Sequence, residues 1–243
     1  MKIGALQTAY LPWLGFFDQI YRCDLFVIYD DLQYTKKDWR NRNRIKTSQG
    51  PIWLTVPVVG ESAHKRRICD IEIAPDIRWA ARHWKALKTN YARAPFFSRY
   101  SKFFHDLYAR QWKYLAPLNR EIINYCLNQL NIRTEVLYSS ESCIEQDYLR
   151  QCGGKTDATE RIVFICNRFG AKSFLEGQSG RQYINENVLA DAGIILQYHY
   201  YSHLCYRQQF GKFIPYLSIV DLLYNQGDES LPILTNGTAR KMG

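Results

Sequence analysis

The chain has no apolar run approaching the ~20 residues that cross a bilayer, which excludes a membrane-spanning helix. Its start, Met-Lys-Ile-Gly-Ala-Leu-Gln, lacks the extended apolar segment and cleavage site of a secretory signal. There is no Cys-x-x-Cys pair. The seven cysteines (Cys23, Cys69, Cys126, Cys143, Cys152, Cys166, Cys205) are scattered and odd in number, which argues against a zinc site and against a disulfide framework. The expected compartment is a reducing cytoplasm. His64, His83, His105, His199 and His203 show no metal-ligand spacing with carboxylates, so no metal is expected and a structural role is the favoured reading of each. Low-complexity segments, internal repeats, a Walker loop and a dinucleotide fingerprint are all missing.

What is present is ordinary globular composition, 47% hydrophobic and 23% charged, over a length that buries a substantial core. Aromatic residues make up 15%, with eighteen tyrosines, which suits polar pockets and interfaces as well as an aromatic core. The formal charge of +9 is concentrated. Six basic residues and one acid lie between Lys36 and Lys46, and nine basic residues face only Asp106 between Arg78 and Lys113. Such segments fit an anionic partner, whether phosphate ligand, nucleic acid, acidic protein or membrane surface, and equally a solvated basic face.

The opening residues carry the fold signal. Ile3–Gln7 reads as a buried strand, Trp13–Tyr21 as a short helix, and Leu25–Tyr29 as a strand running into Asp30-Asp31. This is the first unit of a parallel α/β sheet, whose ligands sit at the carboxyl edge of the strands. That edge would collect Gln7, Thr8 and Tyr10 from the first strand, and Asp30, Asp31 and Gln33 from the second. Residues 51–57 and 68–73 read as further strands, and 61–67 as a charged loop. Apolar residues at helical spacing (Trp84, Leu87, Tyr91; Phe97, Tyr100, Phe104, Leu107; Leu118, Ile122, Cys126, Leu130) predict a helical insert over 78–131. Strand and helix alternate again from Arg133, with strands at 134–138, 172–175 and 194–198. A helix from Asp157 ends at Gly170, and another runs from Ser218 to Gly227. The expected architecture is a mainly parallel Rossmann-like sheet, like that of nucleotidyltransferases, with a helical insert. Its segments are an N-terminal part at 1–77, the insert at 78–131, a C-terminal part at 132–227 and a frayed tail at 228–243.

Several groups could carry chemistry. Glu176-Gly177-Gln178-Ser179-Gly180-Arg181 follows a strand and precedes a helix. Its glycines allow a tight turn, its N–H groups and Ser179 could meet an anion, and Arg181 could grip a phosphate or carboxylate; it could also be only a turn. Asp30 and Asp31 could position a metal or ribose or act as a general base, with at most one entering a given pocket because neighbours on a strand face opposite ways. Capping of the next turn is the alternative. Arg40, Arg42, Arg44 and Lys46 would share one face of an extended segment and hold several phosphates, or keep an edge strand soluble. Lys155, after Gly153-Gly154 and before a helix capped by Asp157, is a second candidate anion contact. Cys23 and Cys152 have no adjacent histidine or nucleophile motif.

Three segments together resemble the WbqC-like protein family. They are Gln7-Thr-Ala-Tyr10-Leu11-Pro12-Trp13-Leu-Gly15 with Asp30-Asp31-Leu-Gln33-Tyr34; Asn41-Arg42-Asn43-Arg44-Ile45-Lys46 with Trp53-Leu-Thr-Val-Pro57; and Gly177-Gln-Ser179-Gly180-Arg181-Gln-Tyr183 with Phe213-Ile-Pro215-Tyr-Leu-Ser218-Ile-Val-Asp221. The similarity runs from Met1 to about Gly227. The family's opening usually reads His-Gln-Pro before Tyr-Leu-Pro-Trp; Leu6-Gln7-Thr8 stand there, so that histidine is missing. The resemblance implies a bacterial protein of O-antigen or other specialised biosynthesis that transfers glycine or related acyl groups onto amino sugars. The opening unit is also similar to nucleotidylyltransferases, but has Tyr10-Leu-Pro-Trp13 in place of their His-x-Gly-His, which removes support for adenylyl transfer.

The expected function is therefore an acyl- or aminoacyl-transferase acting on a small-molecule amine. Its donor would be a pantetheine-linked thioester, with no other cofactor, on an acidic acyl or peptidyl carrier protein docked at 78–113. Asp30 or Asp31 would be the base, with Gln7 and the Gly177–Gly180 backbone as oxyanion donors. Tyr10, Trp13, Gln33, Arg42, Asn43, Lys46, Lys155, Ser179, Arg181 and Tyr183 would bind substrate. A nucleotide-using ligase or nucleotidylyltransferase relative is the alternative. A nucleic-acid-binding module ranks last, since no known motif supports it.

Overall fold

A computed structural model describes residues 1–60, 63–75 and 78–236. The strands are β1 (Lys2–Gln7), β2 (Leu25–Tyr29), β3 (Arg42–Thr47), β4 (Gly50–Thr55), β5 (Glu135–Tyr138), β6 (Ser173–Gly177) and β7 (Ile195–His199). The helices are α1 (Leu14–Tyr21), α2 (Arg78–Tyr91), α3 (Phe97–Ala109), α4 (Leu115–Gln129), α5 (Ile144–Gln151), α6 (Ala158–Phe169), α7 (Glu186–Asp191), α8 (Ile219–Gln226) and α9 (Ser230–Asn236). No helix among the described residues is long and apolar enough to cross a membrane. The chain divides into two compact units.

The first unit comprises Met1–Gln7, Asp18–Leu32 and Ile132–Tyr201. It is an α/β, Rossmann-like unit. Its five strands lie in the order β5-β2-β1-β6-β7, with every pairing parallel. All five residues of β2 are buried, the continuous apolar run expected of a strand covered on both faces. Alternation sorts the side chains. Ile3, Val27, Tyr29 and Phe174 meet Ile162, Ile165 and Cys166 of α6 and Leu189 of α7 in one core. On the opposite face Gly4 lies under Phe26 and Cys23, where an added Cβ would come within 2.8 Å of both. Helix α6 begins as its sequence demands, with the Asp157 carboxylate accepting from the N–H groups of Thr159 and Glu160, and ends at Gly170 with φ 68°.

This strand order has a switch point. From β1 the chain moves outward through β2 and β5, then returns to place β6 on the other side of β1 and β7 beyond it. The carboxyl ends of β1 and β6 thus mark the place where open parallel sheets form a ligand crevice.

The second unit takes in Thr8–Phe17, Gln33–Asn131 and the chain from Ser202 onward. Strands β3 and β4 form an antiparallel hairpin here, with Ile45 opposite Ile52. Helices α2 and α3 bury their apolar stripes, and Tyr91, Phe97 and Phe104 surround Tyr224 of α8 at ring separations of 5.2–6.0 Å. The strand expected at 68–73 is instead a 3-10 turn at Ile68–Asp70, with isolated bridges at Glu72 and Ile73. Ile68 and Ile71 are both fully buried, so the period there is three, not two. At the C-terminus, α9 stands where fraying was expected. Of the loop expected at 61–67, Glu61 and Ser62 lie outside the described residues, as do 237–243.

Candidate active site

The carboxyl edge of the five-stranded sheet gathers polar groups on both faces. On the α6 face stand Gln7, Asp31, Ser139 and Glu176; on the α1 face stand Asp30, Ser140 and His199. The two aspartates diverge, as neighbours on an extended chain must.

Asp30 is fully engaged. Its Oδ1 accepts from the N–H of Ser140 at 2.9 Å and its Oδ2 from the Ser140 hydroxyl at 2.8 Å. It ties β2 to the turn after β5, which is a structural role. Asp31 is different. Its Oδ2 accepts from the Ser139 hydroxyl at 3.0 Å, while the buried Oδ1 has no hydrogen-bond partner. Burial, with Asp30 and Glu145 nearby, raises its carboxyl to about 6. Beside it the phenol of Tyr29, also buried and unpartnered, stands among the charges of Glu145, Arg161 and Asp31, and burial raises it strongly. Glu145 and Arg161 form a bidentate pair at 2.7 and 2.9 Å.

Glu176 lies at the switch point. It is 7% exposed, and burial raises its carboxyl to about 7. Its Oε1 accepts from the N–H of Gly177 at 3.0 Å and from the Tyr183 hydroxyl at 3.4 Å. Gly180 makes room for it, since a Cβ there would fall 2.3 Å from Glu176 Cγ. The expected anion-binding turn is thereby corrected. Gln178–Gln182 is a single 3-10 turn of five residues, and the Gly177 N–H serves Glu176. Arg181 lies over the Tyr198 ring at 4.2 Å, Ser179 is exposed, and Tyr183 is 54% exposed.

On the α1 face, His199 donates from Nε2 to Asp18 Oδ2 at 2.6 Å, and Arg22 Nε donates to the same oxygen at 2.8 Å. Asp18 is fully buried and His199 is 7% exposed. Sequence reasoning missed this pair and left Glu176 as part of a turn. The only local signal was the position of Glu176 and His199 at the ends of apolar strands.

The remaining candidates belong to the second unit, apart from Lys155. Tyr10 is fully buried, not substrate-facing. Its hydroxyl bonds His83 Nδ1 at 2.7 Å and Tyr108 at 2.5 Å, and burial lowers His83 to about 4. Lys46 is also corrected. Its ammonium donates to Gln208 Oε1 at 3.1 Å and to the carbonyls of Gly211 and Lys212 at 3.4 and 2.5 Å, so it anchors a loop and does not offer itself to phosphate. Asn43 donates to the Leu11 carbonyl at 2.6 Å, holding Leu11 at φ 45°. Arg42 donates to the Lys37 carbonyl and lies 4.3 Å over Trp53. Gln33, exposed, donates to the His64 carbonyl at 2.7 Å. Trp13 packs on Tyr216 and His203 at 5.4 and 5.7 Å. In the first unit, Lys155 lines an open groove of about 980 Å³ between α5 and α6. Among the described residues no three His, Cys, Asp or Glu side chains are placed to hold a metal ion.

Comparison with known proteins gives one consistent answer. Residues 7–233 match the model of the WbqC-like protein family. An uncharacterized protein of Mycobacterium tuberculosis, Rv1507c, is 39% identical over 231 residues, covering 94% of this chain and 95% of the relative. No solved structure matches. The chain belongs to the WbqC-like protein family.

Proposed function

We propose that this protein is an acyl- or aminoacyl-transferase that forms an amide on an amine acceptor such as an amino sugar. The observation that carries the reading is Glu176, a shielded carboxyl that titrates near 7 at the switch point of the sheet. An amine acceptor arrives as an ammonium ion and must lose a proton before it attacks. A carboxyl balanced between its two forms at neutral pH binds that ammonium when ionised and accepts its proton. Asp31, raised to about 6 with a free oxygen, is a second group of the same kind. Gln7, half-buried at the end of β1, is the candidate oxyanion donor. The donor in this reading is a thioester on a pantetheine arm. Its acidic carrier would dock on α2, where Lys85 and Lys88 are exposed and enter no ion pair among the described residues.

A nucleotide-using ligase is the second reading. The strand order favours it, because the arrangement outward from β1 is that of a mononucleotide-binding half. A thermal-stability panel separates the two. It would include ATP, CTP, coenzyme A, S-glycyl-N-acetylcysteamine, glycyl-loaded carrier protein and a nucleotide-linked amino sugar. A ligand at a hundred times its Kd adds ~2.7 kcal/mol and raises the midpoint by several degrees. Stabilisation by thioester or loaded carrier supports acyl transfer, and a shift with ATP or CTP alone moves the assignment to the nucleotide-using reading.

A further inference from the structure

We infer that His199 is a second proton-transfer residue of this site, held in its working tautomer by Asp18; the inference rests on the acyl-transfer reading above. His199 ends β7 at the carboxyl edge, and its Nε2 is committed to Asp18 at 2.6 Å. With Asp18 ionised, that bond places the imidazole proton on Nε2 and leaves the lone pair on Nδ1. Nδ1 makes no hydrogen bond among the described residues and is not sealed from solvent. The other two buried or half-buried histidines have their acceptor nitrogens occupied: His83 Nδ1 by Tyr10, and His203 Nε2 by the N–H of Tyr216. His199 is therefore distinguished by an oriented, unoccupied lone pair.

Its place beside Glu176 matches what amide formation needs. The strand register sets Glu176 against Tyr198 and Gly177 against His199, so the carboxyl and the imidazole project from opposite faces at neighbouring strand ends. The glycine opposite His199 adds no side chain between them. Transfer from a thioester to an ammonium removes two protons from nitrogen. The first goes to the Glu176 carboxylate and frees the amine lone pair, which forms the C–N bond. Nδ1 of His199 then takes the second proton from the tetrahedral intermediate. The C–S bond breaks with its electron pair on sulfur, and the imidazolium returns the proton there to give the free thiol. Asp18 is a positioning residue that also stabilises the transient imidazolium. The charged and titratable groups around the ring are Asp18 and Arg22 from α1, and Tyr201 two residues along.

Two measurements test this, one of them independent of any substrate. The folded protein is treated with diethyl pyrocarbonate, which acylates unprotonated, accessible imidazole nitrogen, and labelled peptides are mapped by mass spectrometry. His199 is expected to label at a rate within tenfold of exposed His105. Protection of His199 under conditions that label His105 overturns the proposal, because its lone pair is then unavailable. The second measurement follows thiol release from S-glycyl-N-acetylcysteamine with glucosamine as acceptor. His199→Ala should lower turnover at least a hundredfold, with activity partly restored by added imidazole in proportion to its free-base concentration. Asp18→Asn should move the ascending limb of the rate profile to lower pH. Turnover by His199→Ala within threefold of the parent, or loss that imidazole leaves unchanged, overturns the catalytic role. If the parent itself releases no thiol from any thioester, the acyl-transfer reading fails and with it this proton route, while the labelling still reports whether the lone pair is available.

Discussion

Substituting Glu176→Gln should make the protein more stable, and increasingly so as pH rises. The side chain is 7% exposed, so solvent screens it little. Its carboxyl is raised from 4.5 to about 7, chiefly by burial, and the hydrogen bonds from Gly177 and Tyr183 offset only part of that. Between those pH values the folded chain keeps a proton that the unfolded chain has released. The group's contribution is therefore fully present below the unfolded value and is lost as pH rises through about 7. At ~1.4 kcal/mol per pH unit the complete loss is about 3 kcal/mol, of which about 2 to 3 kcal/mol falls between pH 5 and pH 8. Glutamine keeps the acceptor oxygen for Gly177 and Tyr183 and has no such titration. Melting curves of parent and variant at pH 5 and pH 8, in the same salt, cancel the remaining titrating groups. The gap in Tm should widen by roughly 5 to 10 °C in favour of the variant at the higher pH. A gap independent of pH, or one that turns against glutamine at pH 8, would refute the account of Glu176 as a carboxyl held near neutrality by burial. With it would go the observation on which the proposed function stands.

Three other perturbations probe separate parts of the structure. Lys46→Met removes the ammonium that holds Gln208, Gly211 and Lys212; limited trypsin digestion should cut at Arg207 and Lys212 several-fold faster, and an unchanged rate would mean the loop is held by other contacts. Tyr10→Phe strands His83 Nδ1 and the Tyr108 hydroxyl without their shared partner, which should cost roughly 1–3 kcal/mol in urea unfolding; a neutral result would show that the three groups do not act together. Glu145→Gln breaks the bidentate pair with Arg161, whose side chains are 8% and 15% exposed. That should destabilise by roughly 3–5 kcal/mol, whereas a loss under 1 kcal/mol would mark the pair as a surface-type contact.

Local sequence determined the elements wherever one period dominated. Leu25–Tyr29 is apolar at every position and is a central strand, and Asp157 and Gly170 bound α6 through their own cap geometry. Helix α5 had little to show, because Ile144 and Tyr148 are its main buried apolar residues and lie a single turn apart. The residues at 68–71 were misread because two buried isoleucines three apart look alternating when polar residues separate them. The tertiary structure alone decided the chemistry. Asp30 and Asp31 are adjacent in the chain, yet one is locked to Ser140 and the other keeps a free oxygen, because the pleat sends them to different faces. The carboxyl of Glu176 owes its raised titration to the shell that closes around it with Gly180 and Tyr183, not to its neighbours in sequence as such. Asp18 and His199 are 181 residues apart, and Lys46 and Gln208 are 162 apart. No window along the chain can register such partners; they meet only because parallel pairing brings β6 and β7 beside β1, and because the hairpin strand β3 packs against the loop that Lys46 holds.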